Sequence, residues 1–246
     1  KNVHGMIDVA QASGLPIPAF DFSQYHPTLW FLNGRNAPDT MLGAGTATPW
    51  LPSQPYNSLP RMHPGERVLM RIISAGRDLH PFHHHGNNAW IIARDGRLAQ
   101  SALGMGPDLA ESNFTITVAP GGTADAIFEW TGKGLGWDVY GTVPAHTCNT
   151  PLGFDTVTHE YCPDHGKPFP TVMPDQQNLT FVSHWGGSVY LGQTAPLPPG
   201  LGGLNPTGAY HFMWHSHTER EMTNDDLFPG GMMTMMMVEH PSVTIP

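Results

Sequence analysis

The sequence predicts an all-β protein, a sandwich of short strands joined by many turns. Three observations predict it. Gly 28 and Pro 25 together make about a fifth of the 246 residues, a density that breaks long helices. Turn signals at Asn33-Gly34, Pro64-Gly65, Asp95-Gly96 and Pro120-Gly121-Gly122 punctuate short apolar runs. No segment shows convincing 3.6-residue periodicity, and no internal repeat is present. Hydrophobic residues at 39%, with seven Trp and eleven Phe, fill a core and argue against disorder.

Residues 1–24 are mixed in character, with a Pro/Gly patch at Gly14–Pro18. They are expected to be an N-terminal extension or the tail of a preceding domain. Strand signals follow at Thr28–Leu32, Arg67–Ile73, Ala89–Ala93, Phe114–Val118 and Ala124–Trp130. A Pro-, Gly- and Ser-rich loop, 36–60, separates the first two. Residues 137–206 are dense in Pro and Gly, with weak strand signals only at Leu179–Val182 and Ser188–Leu191. They read as a long loop-rich insertion. Periodicity returns at Tyr210–Trp214 and Met232–Val238. One domain over 25–246 is therefore expected.

Several function classes are disfavoured at once. A net charge of −9 with only eleven Lys and Arg argues against a nucleic-acid partner. No run of about 18 apolar residues exists to span a membrane. No Ser–His–Asp pattern, phosphate-cradling Gly loop or HExxH helix occurs. The chain begins Lys1-Asn2-Val3-His4, without an initiator Met or an apolar leader. Either a leader has been removed or the sequence is a piece of a longer one. Cys148 and Cys162 bracket a turn-rich loop and read most simply as one disulfide, which places the protein in an oxidising, secreted compartment. Metal binding by the pair is the rival, because His146, His159 and His165 flank it. Sequons occur at Asn113-Phe-Thr and Asn178-Leu-Thr.

Histidine is the unusual count. Fifteen His outnumber the eleven Lys and Arg. Two groups stand beside apolar strands, His80-Pro81-Phe82-His83-His84-His85-Gly86 and His215-Ser216-His217. In an extended segment alternate side chains share a face, so His83 projects with His85 and His215 with His217. Two such pairs facing one volume form a poor packing solution, since each buried unpaired N–H costs about 1–3 kcal/mol. Copper or zinc satisfies all of them. A histidine-rich surface loop is the bland alternative; flanking Phe82, Trp90 and Trp214 argue against it. The run Met232-Met-Thr-Met-Met-Met237 offers Cu(I) thioethers, but is read as a core strand of adaptable side chains. The acidic stretch Glu219, Glu221, Asp225 and Asp226 is read as a solvated loop, with a landing site for Mn(II) or Fe(II) as the alternative.

These motifs resemble the multicopper oxidases. His80-Pro-Phe-His83-His-His85-Gly is similar to that family's motif near the start of its last cupredoxin domain. Phe31-Leu-Asn-Gly34, Val118-Ala-Pro-Gly121-Gly-Thr-Ala-Asp125 and Pro229-Gly-Gly231-Met232 resemble its turns in order. The likeness covers roughly 27–240, interrupted by the insertion. It implies a cupredoxin-like Greek-key β-sandwich and a trinuclear copper cluster that reduces dioxygen to water. His83 would match the ligand of the lone copper, and His85, His215 and His217 those of the coupled pair. His80 would match a ligand of the separate blue copper.

The carry-over fails at that blue site. Ser216 stands where it needs a Cys thiolate, and Glu221 near where it needs a second His. A hydroxyl does not replace a thiolate as a soft ligand, so His80 is expected to be left without copper. Met222 and Met232 stand near the axial position. The family's trinuclear cluster also takes more imidazoles than this chain offers, divided between two cupredoxin domains. A partner is therefore expected: another cupredoxin domain or a neighbouring copy of the chain. Dioxygen and a reducing substrate, a metal ion among the candidates, complete the list. Val3-His4-Gly5-Met6-Ile7 is similar to the last strand of a preceding cupredoxin domain. The alternative function is a non-catalytic copper-binding or assembly module; a zinc hydrolase is more distant, for want of a general base.

Overall fold

Strand formation follows turn chemistry and β-branched or aromatic content in the computed structural model, which describes residues 2–17, 23, 26–42, 57–142, 145–168, 191 and 209–245. One sheet runs in the order β1 (Arg61–Met62), β10 (Met233–Val238), β9 (Tyr210–Ser216), β3 (His80–His84) and β7 (Thr115–Val118). The other runs β2 (Arg67–Ile73), β8 (Thr123–Glu129), β4 (Ala89–Arg94) and β5 (Arg97–Leu98), with β6 (Glu111–Asn113) also paired to β4. Every pairing is antiparallel except β1 with β10. The chain crosses repeatedly between the sheets, as a Greek-key sandwich requires.

The core lies between these layers. Phe128, Ala126 and Ile91 from one sheet meet Phe212, Trp214, Ile116 and Met236 from the other. Each large apolar side chain buried here stabilises by about 1.5–3 kcal/mol. β8 is half-buried in alternation, with Ala124, Ala126 and Phe128 facing inward. β10 is buried along its whole length, so the methionine run is a core strand, as expected. The N-H of Ser74 and the carbonyl of Gly122 join the ends of β2 and β8.

Some expectations are corrected. Thr28–Leu32 forms no ladder; the only pairing there is the bridge Leu32↔Arg35 across Asn33-Gly34. Both turn residues have positive φ, 49° and 78°, as a tight hairpin turn needs. The apolar run before that turn packs on one side only, Trp30 inward while Leu29 and Phe31 stay exposed, and gains no strand partner. Val3–Ile7 is not a strand either: Asn2–Ala12 is a helix, α1. The spacing of Val3, Met6, Ile7 and Ala10 is the helical signal that the composition obscured. The short ladders β1, β5 and β6 span two or three residues, too few to show a period.

The start of the insertion packs irregularly, with Val139 and Tyr140 reaching the core. Its strand signals at 179–182 and 188–190, His184 and the sequon at 178 lie outside the described residues. No helix among the described residues is long and apolar enough to cross a membrane.

Candidate metal centre

β3 and β9 lie side by side with His83 opposite His215 and His84 opposite Trp214. That register turns the period of two into a site. His83, His85, His215 and His217 gather on one face, while His84 points into the core against Phe128 and Trp214. The backbone continues the pairing past the strand ends: His85 N–H donates to Met213 O, and His217 N–H to Pro81 O. All four predicted ligands are thus brought together.

The tightest group is His83, His85 and His215, each offering a ring nitrogen within 4.8 Å of the others. His217 stands at the exposed rim, its ring centroid 5.0 Å from that of His83. Outer contacts orient the rings. His215 Nδ1 donates to the Ser216 carbonyl at 2.7 Å, which fixes the tautomer and leaves Nε2 as the lone-pair nitrogen. His83 Nδ1 pairs with Thr115 Oγ1 at 2.9 Å. His85 Nε2 and His215 Nε2 are 3.2 Å apart. Two nitrogens on one tetrahedral metal, each bonded at about 2.0–2.1 Å, stand about 3.3 Å apart. The donor set and its spacing therefore fit copper or zinc.

Electrostatics keep these rings available. Burial lowers the pKa of His83, and the neighbouring His217 adds to the effect. His215 is lowered chiefly by burial, against the hydrogen bond to Ser216 that raises it. A neutral ring is the form that binds a metal. His84, at about 4, stays neutral for a different reason, its burial in the core, where Nε2 accepts the Ala89 N–H.

The opposite face of β3 holds the place of the blue site. His80 Nδ1 lies 3.0 Å from both carboxylate oxygens of Glu221. Ser216 Oγ donates to Glu221 Oε2 at 2.5 Å and accepts the Thr218 N–H. His80 Nε2 faces the Ala75 carbonyl at 3.1 Å. Both ring nitrogens of His80 thus face oxygen acceptors. The three residues form a closed hydrogen-bonded group with no soft ligand, and they do not fit a blue copper. A cleft of about 740 Å³ opens beside them, lined by Trp30, Phe31, Met70, His80, Phe82 and Met232 among others.

The cysteine loop resolves its two alternatives. Cys148 and Cys162 are disulfide-bonded. His159 is not drawn into a cluster: its φ is 58° and its ring sits by Gly65. His146 and His165 instead converge with Asp138 and Glu160, two residues that no sequence spacing singled out. In the acidic stretch Asp226 pairs with exposed Arg220 at 3.7 Å, as in a solvated loop, but Glu221 is 1% exposed and corrects that reading: its carboxylate turns inward to Ser216 and His80.

Comparison with known proteins adds a partial match. Residues 21–136 match the family model described as multicopper oxidase. No curated protein sequence matches the chain. Among solved structures, the chain is similar to a blue copper oxidase from Nitrosomonas europaea, with 16% identity and a TM-score of 0.40 over 84% of this chain and 33% of that one. It is also similar to a multi-copper oxidase from Pediococcus acidilactici, with 14% identity and a TM-score of 0.34 over 76% of this chain and 22% of that one. The chain thus spans a third or less of the length of either protein.

Proposed function

We propose, for a chain that carries a multicopper oxidase-family cupredoxin domain, that His83, His85, His215 and His217 supply half of the imidazole shell of an oxygen-reducing trinuclear copper cluster. Copper is the cofactor the family implies. The observation that carries the reading is the convergence of His83, His85 and His215, with His215 held in the tautomer that turns Nε2 inward. Copper bound at such a cluster supplies the reduction of dioxygen to water. The protein's part is to hold neutral rings in fixed orientations, through Thr115 and the Ser216 carbonyl, and to keep one side of the site dry.

The other half of the shell comes from a second cupredoxin domain, in the same polypeptide or a neighbouring copy. His217 at the exposed rim supports this, as does Phe114, 59% exposed with its ring 5.6 Å from that of His83. An exposed aromatic beside partly shelled ligands suits a face that a partner covers. Electrons enter from elsewhere, because the Ser216–Glu221–His80 group supplies no thiolate. The disulfide supports an extracytoplasmic setting. The same group also favours a second reading, in which the domain binds copper for assembly without oxidase turnover.

The test is copper uptake by the chain and by a His83→Ala/His215→Ala variant, measured as metal content after removal of loosely held ions. Uptake by the unaltered chain with loss in the variant is expected. Equal copper in both would remove the proposed site. Oxygen consumption on adding a companion domain separates the two readings.

A further inference from the structure

A second group of ligand-type side chains lies in the insertion, remote in sequence from the first. Asp138 follows β8 and is flanked by buried Trp137, Val139 and Tyr140. His146 lies on the next stretch of chain. Glu160 and His165 stand on either side of Cys162, whose bond to Cys148 ties the two limbs of the loop together. Asp155 sets the bend between them by accepting the N–H groups of Asn149, Val157 and Thr158. A 3-10 turn at Cys162–Asp164 then returns the chain, so that His165 faces His146 at a ring separation of 4.7 Å.

The four side chains each turn a donor atom to one point, all within 4.8 Å of one another. His146 Nε2 is 3.4 Å from Asp138 Oδ1 and 3.2 Å from Glu160 Oε2. His165 Nδ1 is 3.3 Å from Asp138 Oδ2 and 2.8 Å from Glu160 Oε1. Both carboxylates are 1% exposed, and among the described residues their ion pairs are with these two imidazoles alone. Two buried carboxylates so close repel each other; burial, then Asp138, raises the Glu160 pKa.

Proton-mediated pairing leaves this group unfinished. Glu160 Oε2 and His146 Nε2 are buried, lie 3.2 Å apart, and make no hydrogen bond to each other or to any described group. A buried acceptor that makes no hydrogen bond is destabilising, more so when charged. Both atoms point into the space that the other two ligands also face. A divalent cation there neutralises two carboxylates and uses both orphaned atoms.

We propose that Asp138, His146, Glu160 and His165 form a second metal site, for a borderline divalent ion of the zinc type. Two imidazole nitrogens and two carboxylate oxygens are a donor set such an ion accepts. Four protein ligands complete a tetrahedral shell, so the site is structural and clamps the limbs of the cysteine loop to the start of the insertion, where Asp138 lies. The partly exposed rings, 21% for His146 and 33% for His165, mark the side from which the ion enters.

The experiment uses the whole chain with His83→Ala and His215→Ala, so that the first cluster does not contribute. Zinc ion alone is the probe, with stoichiometry from equilibrium dialysis and folding monitored by circular dichroism. One zinc per chain is expected, with a rise in thermal midpoint. Adding Glu160→Gln and His165→Ala should abolish both the zinc and the rise. Zinc retained by that variant, or absent from the folded parent, overturns the proposal. Zinc-soaked crystals of the unaltered chain give a reading independent of how the quadruple variant folds. An anomalous-scattering peak among the four side chains is expected; its absence overturns the site.

Discussion

The carboxylate of Glu221 accepts a 2.5 Å hydrogen bond from Ser216 Oγ while its oxygens lie 3.0 Å from His80 Nδ1. Glu221 thus binds together the two positions where a blue copper would need a thiolate and an imidazole. The backbone locks it there: Met232 N–H donates to the Glu221 carbonyl. Gly231 passes so close that a Cβ would overlap that oxygen, and its φ is 60°. The departure from the family pattern is therefore a built hydrogen-bonded group rather than a gap.

This arrangement predicts how the site is restored. The paired change Ser216→Cys and Glu221→His, made in the full chain, presents a thiolate and two imidazoles around one point. Intense visible absorption from a copper–thiolate bond is expected on copper loading, against none in the unaltered chain. Strong blue colour in the unaltered chain would contradict the assignment. Glu221→Ala alone strands Ser216 and His80, at a cost of about 1–3 kcal/mol in chemical denaturation.

Acid should weaken the fold through His211. Burial holds its pKa at about 4, although Glu239 nearby acts to raise it. Unfolded, the ring titrates near 6.5. Between those values the unfolded chain binds more protons than the folded one. The contribution is thus fully present above pH 6.5 and is lost as the pH falls toward 4, to a total of about 3 kcal/mol. Denaturant midpoints across this range should decline less in His211→Gln than in the parent. Parallel declines would remove His211 as the cause.

Gly86 ends the first histidine motif at φ 101°. A Cβ there would meet Phe212 Cγ at 2.9 Å, against a ring fixed in the core. Gly86→Ala should cost about 2 kcal/mol through overpacking and backbone strain together, and should loosen His85 beside it. Thermal unfolding measures the first effect, and copper affinity the second. An unchanged thermal midpoint would show that the backbone relaxes at no cost.

The disulfide should stabilise the insertion more than the sandwich. Cys148 and Cys162 are separated by 14 positions, and closing a loop of that size is worth about 3 kcal/mol in the chain-entropy account. Cys148→Ala/Cys162→Ala should lower stability by that order and weaken zinc uptake at Asp138, His146, Glu160 and His165. Copper uptake at the first cluster should be retained. Loss of copper with zinc unaffected would reverse the assignment of these two regions.

The alternation of His83, His84 and His85 was legible because a strand's period is two: the middle ring goes to the core and its neighbours to the other face. Local strand and turn signals located β2, β4, β7, β8 and β9 within a residue or two of their observed ends. Such signals failed at Thr28–Leu32, where an apolar run before a turn packs on one side without a strand partner. They also failed at α1, where Val3, Met6, Ile7 and Ala10 carry the helical spacing within a segment read for its likeness to a strand.

By itself the sequence determined the sandwich class, the pairs His83/His85 and His215/His217, the cysteine pairing as one of two alternatives, and the absence of a thiolate at Ser216. These follow from neighbours in the chain and from residue chemistry. Only the tertiary structure decided that Glu221 closes on His80, 141 positions away, and that Asp138 and Glu160 join His146 and His165. Such contacts depend on strand register and on the path of irregular loops, which long-range packing sets and no local period encodes.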